Sequence, residues 1–178
     1  MPGRFFIPRF LSRAVKAGCE YALIEVTSQG ILQHRHRFID WDAGLITNLS
    51  PEHIEAHGSF ENYCRAKISF FEYAAKSRKR DKFFFINAAI AHQDDFLRAA
   101  EGRGKLVIFS RDNFVRNNLG KLRLFKDWPW TEFNIENAAA AAAFAETIGI
   151  DWAAVKKALE NFRGVAGRME FIQETPFK

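Results

Sequence analysis

Two histidines four residues apart, His53 and His57, follow the pair Ser50-Pro51, and Lys67 stands ten residues further on in T-N-L-S-P-E-H-I-E-A-H-G-S-F-E-N-Y-C-R-A-K. A serine N-cap with proline at the first helical position starts a helix, and the i, i+4 spacing puts both histidines on one face. Gly58 ends that helix after about two turns, which makes it a short, rigid protrusion. Two histidines at this spacing can bind zinc, but a zinc protease needs its glutamate directly after the first histidine, and here Glu55 comes two places later. Zinc hydrolysis is a weak rival, and His57 reads equally well as a packing or capping residue. Glu25 is an acid near the end of the apolar run Y-A-L-I-E-V-T, as a buried parallel strand accepts one where its C-terminal tip meets a site. Lys67 asks for more. A lysine with the ordinary pKa of ~10.4 reacts as an amine only where neighbours and partial burial lower that value.

The elements that must hold these residues alternate. Phe6, Phe10, Leu11, Ala14 and Val15 recur at helical spacing before Gly18, which predicts a helix over Ile7–Ala17. Strands are expected at Tyr21–Thr27, Ala43–Leu49, Lys82–Asn87 and Lys105–Phe109. The alternating K-L-R-L-F of Lys121–Phe125 reads as an exposed or edge strand. Helices are expected at Phe60–Lys76, with Tyr63, Ala66, Phe70 and Tyr73 or Ala74 on the apolar face, and at Gln93–Ala100, Asn134–Ile148 and Asp151–Phe162. Strands alternating with helices imply an α/β domain with a mostly parallel sheet flanked by helices, whose site lies at the strand C-terminal ends. Glu25 and the Thr47–His57 loop both fall there.

With 178 residues and 48% hydrophobic content the chain can bury a core, which excludes a disordered tail. Cys19 and Cys64 form no framework, so a reducing cytoplasm suits the chain. A net charge of +5 suits an anionic partner without choosing one. The basic run K-S-R-K-R-D-K of Lys76–Lys82 lacks the interleaved aromatics of a nucleic-acid surface and reads as a solvated helix end. Met1–Gly18 is basic and free of acids like an organelle-targeting helix, but Pro2, Pro8 and few serines argue against that role. No apolar run reaches the ~20 residues of a membrane span.

The blocks E-V-T-S-Q-G-I-L-Q-H-R, T-N-L-S-P-E-H-I-E-A-H-G-S-F-E-N-Y-C-R-A-K, F-N-I-E-N and G-R-M-E occur in the order seen in the central domain of the Mur ligases, and the chain resembles that family over roughly Met1–Glu170. Among its members the likeness is greatest to the UDP-N-acetylmuramoyl-tripeptide synthetases. The resemblance implies a P-loop NTPase-like central domain over residues 1–170, with 171–178 starting a linker toward a C-terminal domain. It implies ATP-dependent amide-bond formation: ATP phosphorylates a carboxylate of the UDP-N-acetylmuramoyl-peptide, and the amine of an incoming amino acid attacks the acyl phosphate. Glu25 and His53 then match magnesium ligands. Lys67 matches a lysine that is carbamylated and so helps hold Mg2+. Thr27, Gln33 and Arg35 match contacts to the UDP-linked peptide, Asn134 and Asn137 contacts to the adenine of ATP, and Arg168 an arginine near its phosphates. Helix N-capping could account for Asn134 but not for Asn137, a turn later.

Departures from the family pattern shape the expectation. No G-x-x-G-K-[ST] phosphate loop occurs; G-R-G-K-L at Gly102 and G-K-L at Gly120 lack the hydroxyl residue. Met-Pro-Gly at the start resembles the segment just after that loop in full enzymes, so the sheet is expected to be truncated at its N-terminal edge. I-N-A-A-I-A-H-Q-D-D loses the family's acid pair in register, Gln29 replaces a histidine, and Glu52 replaces an aspartate. Two functional classes are consistent with this pattern. One is a ligase central domain that is inactive alone and needs missing parts, supplied by a separate chain for instance. The other is a non-catalytic binding protein that retains the scaffold. Neither requires nucleic acid or membrane.

Overall fold

The computed structural model describes residues 6–51, 54–118, 132–165 and 167; the expected strand Lys121–Phe125 and the candidates His53 and Arg168 lie outside them. Two compact units divide the chain, Met1–Ile108 and Phe109–Lys178.

In the first unit, α1 (Phe6–Lys16) closes at Gly18, whose φ of +76° suits a residue without Cβ. Gly18 N–H donates to Val15 O and Cys19 N–H to Ala14 O, the paired bonds that satisfy the last carbonyls of a helix. A five-residue helix, α2 (Ser28–Leu32), comes next, then β1 (Ala43–Ile46), the short α3 (Ile54–His57) and α4 (Phe60–Ala75). The N-cap of α4 is Ser59, whose Oγ accepts from Asn62 N–H at 3.1 Å. β2 (Phe83–Asn87), α5 (Gln93–Ala100) and β3 (Lys105–Phe109) follow, the last residue of β3 counting with the second unit.

The sheet order is β1-β2-β3, and β1 runs parallel to β2 with Ala43 opposite Phe83 and Ile46 opposite Ile86. Phe84, Phe85, Ile86 and Asn87 are all buried, so the central strand is covered on both faces, as its continuous apolar run requires. Against it α4 contributes Phe70, Phe71 and Ala74, and α5 contributes Phe96, whose ring meets Phe71 edge-on at 5.0 Å.

The second unit continues with α6 (Arg111–Asn118), α7 (Glu132–Thr147) and α8 (Trp152–Asn161). α6 packs on α7 and α7 on α8, and Arg111 pairs with Glu132 at 2.7 Å. The buried face of α7 is mostly alanine, which lets a neighbouring backbone approach closely, and Asn134 lies within it.

Three expectations need correction. Tyr21–Thr27 forms no strand: it pairs with none among the described residues, and Tyr21 and Leu23 are exposed. A strand needs a neighbour to take its N–H and C=O groups, whereas the apolar run reports only side chains. The second strand is shorter than Ala43–Leu49, because the chain leaves the ladder after Ile46 and Leu49 packs into the core as a loop residue. α7 begins at Glu132, which places Asn134 inside the helix and removes the capping account of it.

Candidate active site

The C-terminal ends of β1 and β2 are tied by a side chain that sequence reasoning passed over. Asn87, buried at the last position of β2, donates from Nδ2 to Thr47 O at 2.7 Å and accepts from Ala89 N–H through Oδ1. The only signal was a polar residue closing the run F-F-F-I-N. This fixes the start of the Thr47–His57 loop against the neighbouring strand.

Lys67 lies on α4 one turn after Tyr63 and one before Phe70 and Phe71, within the stripe that faces the core, and is half-buried. Its Nζ donates to Val26 O at 3.3 Å and sits 5.9 Å from the centroid of the Tyr63 ring. Val26 is flanked by Glu25 and Thr27. A contact across 41 residues of sequence therefore brings Lys67 to the backbone segment that carries two other candidates. Glu25 is exposed there. Thr27 is the N-cap of α2: its Oγ1 accepts from Gly30 N–H at 3.1 Å, which leaves its O–H as the group to offer an acceptor on a ligand. Gln33 is the C-cap of α2, and Arg35 N–H donates to Gly30 O, so both lie on the turn that ends the same short helix.

The loop after α2 is pinned from several sides. Trp41 Nε1 donates to His36 O, Phe38 N–H to the Tyr73 hydroxyl, and Arg78 holds Asp40 at 2.6 Å. The Arg78 guanidinium keeps the Asp40 carboxyl below the usual carboxylate range. Lys79 pairs with Asp42, so the basic run is partly neutralised by its own domain, as a solvated helix end would be. His36 is buried edge-on to Phe70 and Tyr73, and its Nδ1 has no hydrogen-bond partner among the described residues. Burial, with help from Arg37 and His34, lowers its pKa to about 4.

His57, which the sequence left open between ligand and packing residue, has a defined place. Its Nε2 is 2.9 Å from Ser28 Oγ, its carbonyl accepts from Asn62 Nδ2 at 2.9 Å, and its ring stands edge-on to Tyr63. Ser28 carried no expectation. The neighbouring Cys64 is fully buried, which raises its thiol pKa, with Glu61 adding to the effect, and makes it inert.

In the second unit Asn134 is buried and Asn137 exposed, one turn apart on α7. Among the described residues no group of three histidine, cysteine, aspartate or glutamate side chains is placed to hold a metal ion.

A family profile described as the Mur ligase middle domain matches residues 2–128. The chain is 31% identical to a UDP-N-acetylmuramyl-tripeptide synthetase of Roseiflexus sp. (strain RS-1), over 94% of this chain and 38% of that protein. It is 31% identical to a UDP-N-acetylmuramoyl-L-alanyl-D-glutamate--2,6-diaminopimelate ligase of Parabacteroides distasonis, over 97% of this chain and 37% of the relative. Among solved structures, MurF from Acinetobacter baumannii superposes with a TM-score of 0.60 at 21% identity, covering 82% of this chain and 34% of that one, a likeness of fold. The chain thus spans less than two fifths of the length of the relatives it matches. By the profile match and these identities, the protein belongs to the Mur ligase family, through that family's middle domain.

Proposed function

We propose that the chain is the ATP-binding central portion of a ligase that joins an amino acid to a UDP-N-acetylmuramoyl-peptide, and that it turns over only together with the remaining parts of such an enzyme. One observation carries the reading: the Lys67 amine, half-buried on α4, meets the backbone between Glu25 and Thr27. In this reaction a carboxylate oxygen takes the γ-phosphoryl group of ATP. The incoming amine then attacks the acyl carbon, phosphate leaves with the C–O bonding pair, and the nitrogen gives up a proton to form the amide. Positioning and charge stabilisation supply most of the catalysis in phosphoryl transfer.

Mg2+, when bound, would neutralise charge on the transferring phosphoryl group. It favours hard oxygen donors, and the described carboxylates and histidines do not form a set by themselves. Carbamylation of Lys67 fits this requirement, because it converts a cation beside the Glu25 segment into an oxygen anion. Glu25, His53 and the carbamate of Lys67 are the proposed holders. Thr27, Gln33 and Arg35, gathered at the two ends of α2, are the proposed contacts to the UDP-linked peptide, with the Arg35 guanidinium suited to a phosphate or carboxylate. Asn134 and Asn137 are assigned to adenine and Arg168 to the ATP phosphates. A cytoplasmic location accords with nucleotide substrates, and no helix among the described residues is long and apolar enough to cross a membrane.

The test is reconstitution with segments that supply a phosphate loop and an amino-acid-binding part. Lys67→Ala should abolish turnover, and a short carboxylic acid should restore part of it. Lys67→Arg should be equally inactive, since a guanidinium stays charged and cannot be carbamylated. Full activity in the arginine variant would overturn the assignment.

A further inference from the structure

We infer that Ser28 and His57 form a latch that holds the Thr27 turn and Lys67 in one frame, which makes His57 a positioning residue for the site and not a metal ligand. The inference rests on the proposed ligase function for its functional meaning, but its geometry stands on its own. Ser28 is 4% exposed and His57 9%, and their 2.9 Å hydrogen bond joins the first residue of α2 to the last residue of α3. A buried pair of this kind is costly to leave half made, since either partner alone loses its water without replacement.

The contacts around the pair close into a loop. From Ser28 the hydrogen bond leads to His57, whose ring stands edge-on to Tyr63 with centroids 5.5 Å apart. Tyr63 is buried and carries the Lys67 ammonium 5.9 Å from its ring centre. Lys67 returns to Val26 O, two residues before Ser28. On the other side Asn62 Nδ2 holds the His57 carbonyl, so ring and backbone of the histidine are fixed from different elements. With Nε2 engaged by Ser28 and the ring packed edge-on with Tyr63, His57 is committed to the fold. Thr27, which caps α2 immediately before Ser28, cannot shift without breaking this bond. The latch therefore sets the distance between the hydroxyl offered to substrate and the lysine proposed to become an anion.

The test reads Lys67 directly on the intact 178-residue chain and needs neither substrate nor ATP. Competitive acylation with acetic anhydride, read by mass spectrometry, gives the reactivity of each lysine; amide exchange at Gly30 reports the α2 cap. Ser28→Ala and His57→Phe should each raise Lys67 labelling and Gly30 exchange about tenfold, the scale of one lost hydrogen bond. The double variant should add little to either single one. Ser28→Thr and His57→Gln, which keep a hydrogen-bonding group in place, should remain within about twofold of the parent. Lys82, held by the Ser77 and Lys79 carbonyls, serves as the internal control for general loosening. Unchanged Lys67 labelling in folded variants, or equal rises at Lys82 and Lys67, would overturn the latch; if Ala and Phe variants do not fold, additive losses of about tenfold in Ser28→Thr and His57→Gln would do so. Failure of the ligase reading shows elsewhere, as activity retained by Lys67→Arg in the reconstituted enzyme.

Discussion

The buried imidazole of His36 gives this protein a pH dependence whose sign can be worked out. His36 titrates near 6.5 when unfolded and about 4 when folded, because its site desolvates the cation. Between those values the unfolded chain binds more protons at His36, so the contribution of this residue to stability is complete above about pH 6.5 and falls as pH drops toward 4. The full difference is about 3 kcal/mol at most. Urea unfolding at about pH 7.5 and about pH 4.5 should show this loss in the parent, and His36→Phe, which keeps a ring between Phe70 and Tyr73, should show much less of it. An equal loss in the variant would assign the acid sensitivity to other groups. At the same scale Lys67 stood out as a candidate in the sequence because its surroundings match a long family block. Ser28 and Asn87 were not, since a serine at a helix start and an asparagine at a strand end have ordinary local explanations, and only the fold reveals that each bridges two elements.

Among the elements, those with both a periodic face and a chemical boundary were readable. The apolar stripe placed α4, expected at Phe60–Lys76 and found at Phe60–Ala75, and α5 and β3 fall on the expected residues. The five-residue α2 was missed, being too short for a periodicity, and α6 was missed because its few apolar residues give little contrast. The Tyr21–Thr27 run misled, since it is apolar enough for a strand while pairing depends on what lies beside it. Strand contacts also set tolerances that composition hides. A Cβ at Gly104 would lie 2.7 Å from Lys82 O, a backbone atom held by the Lys105 N–H hydrogen bond at the start of β3. Gly104→Ala should therefore destabilise the chain by about 2 kcal/mol. Denaturant unfolding measures it, and a stabilised variant would mean that the two strands separate there at no cost. Ser59→Ala should cost about 1 kcal/mol by removing the α4 cap.

For the whole molecule the question is what its exposed apolar surface and absent phosphate-loop motif imply for behaviour in solution. Without backbone amides wrapped around the triphosphate, ATP should bind this chain no better than millimolar, about 4 kcal/mol, and micromolar affinity by calorimetry would contradict that. The outer edge of β1 pairs with no strand among the described residues, and Leu45 on that strand is 38% exposed. Leu23, Val15, Tyr21 and Phe6 are exposed in the same unit. An open parallel edge beside apolar surface is a template for another chain, and a charge of +5 is a modest defence against association. The 178-residue product should therefore self-associate at micromolar concentration, and co-expression with a segment that supplies a strand and phosphate loop should reduce this by occupying the edge. Sedimentation with and without that segment separates the two functional classes. Association relieved by the segment supports a ligase part awaiting its complement. A stable monomer indifferent to it would show an edge already protected, and would favour an independent binding domain built on the ligase scaffold.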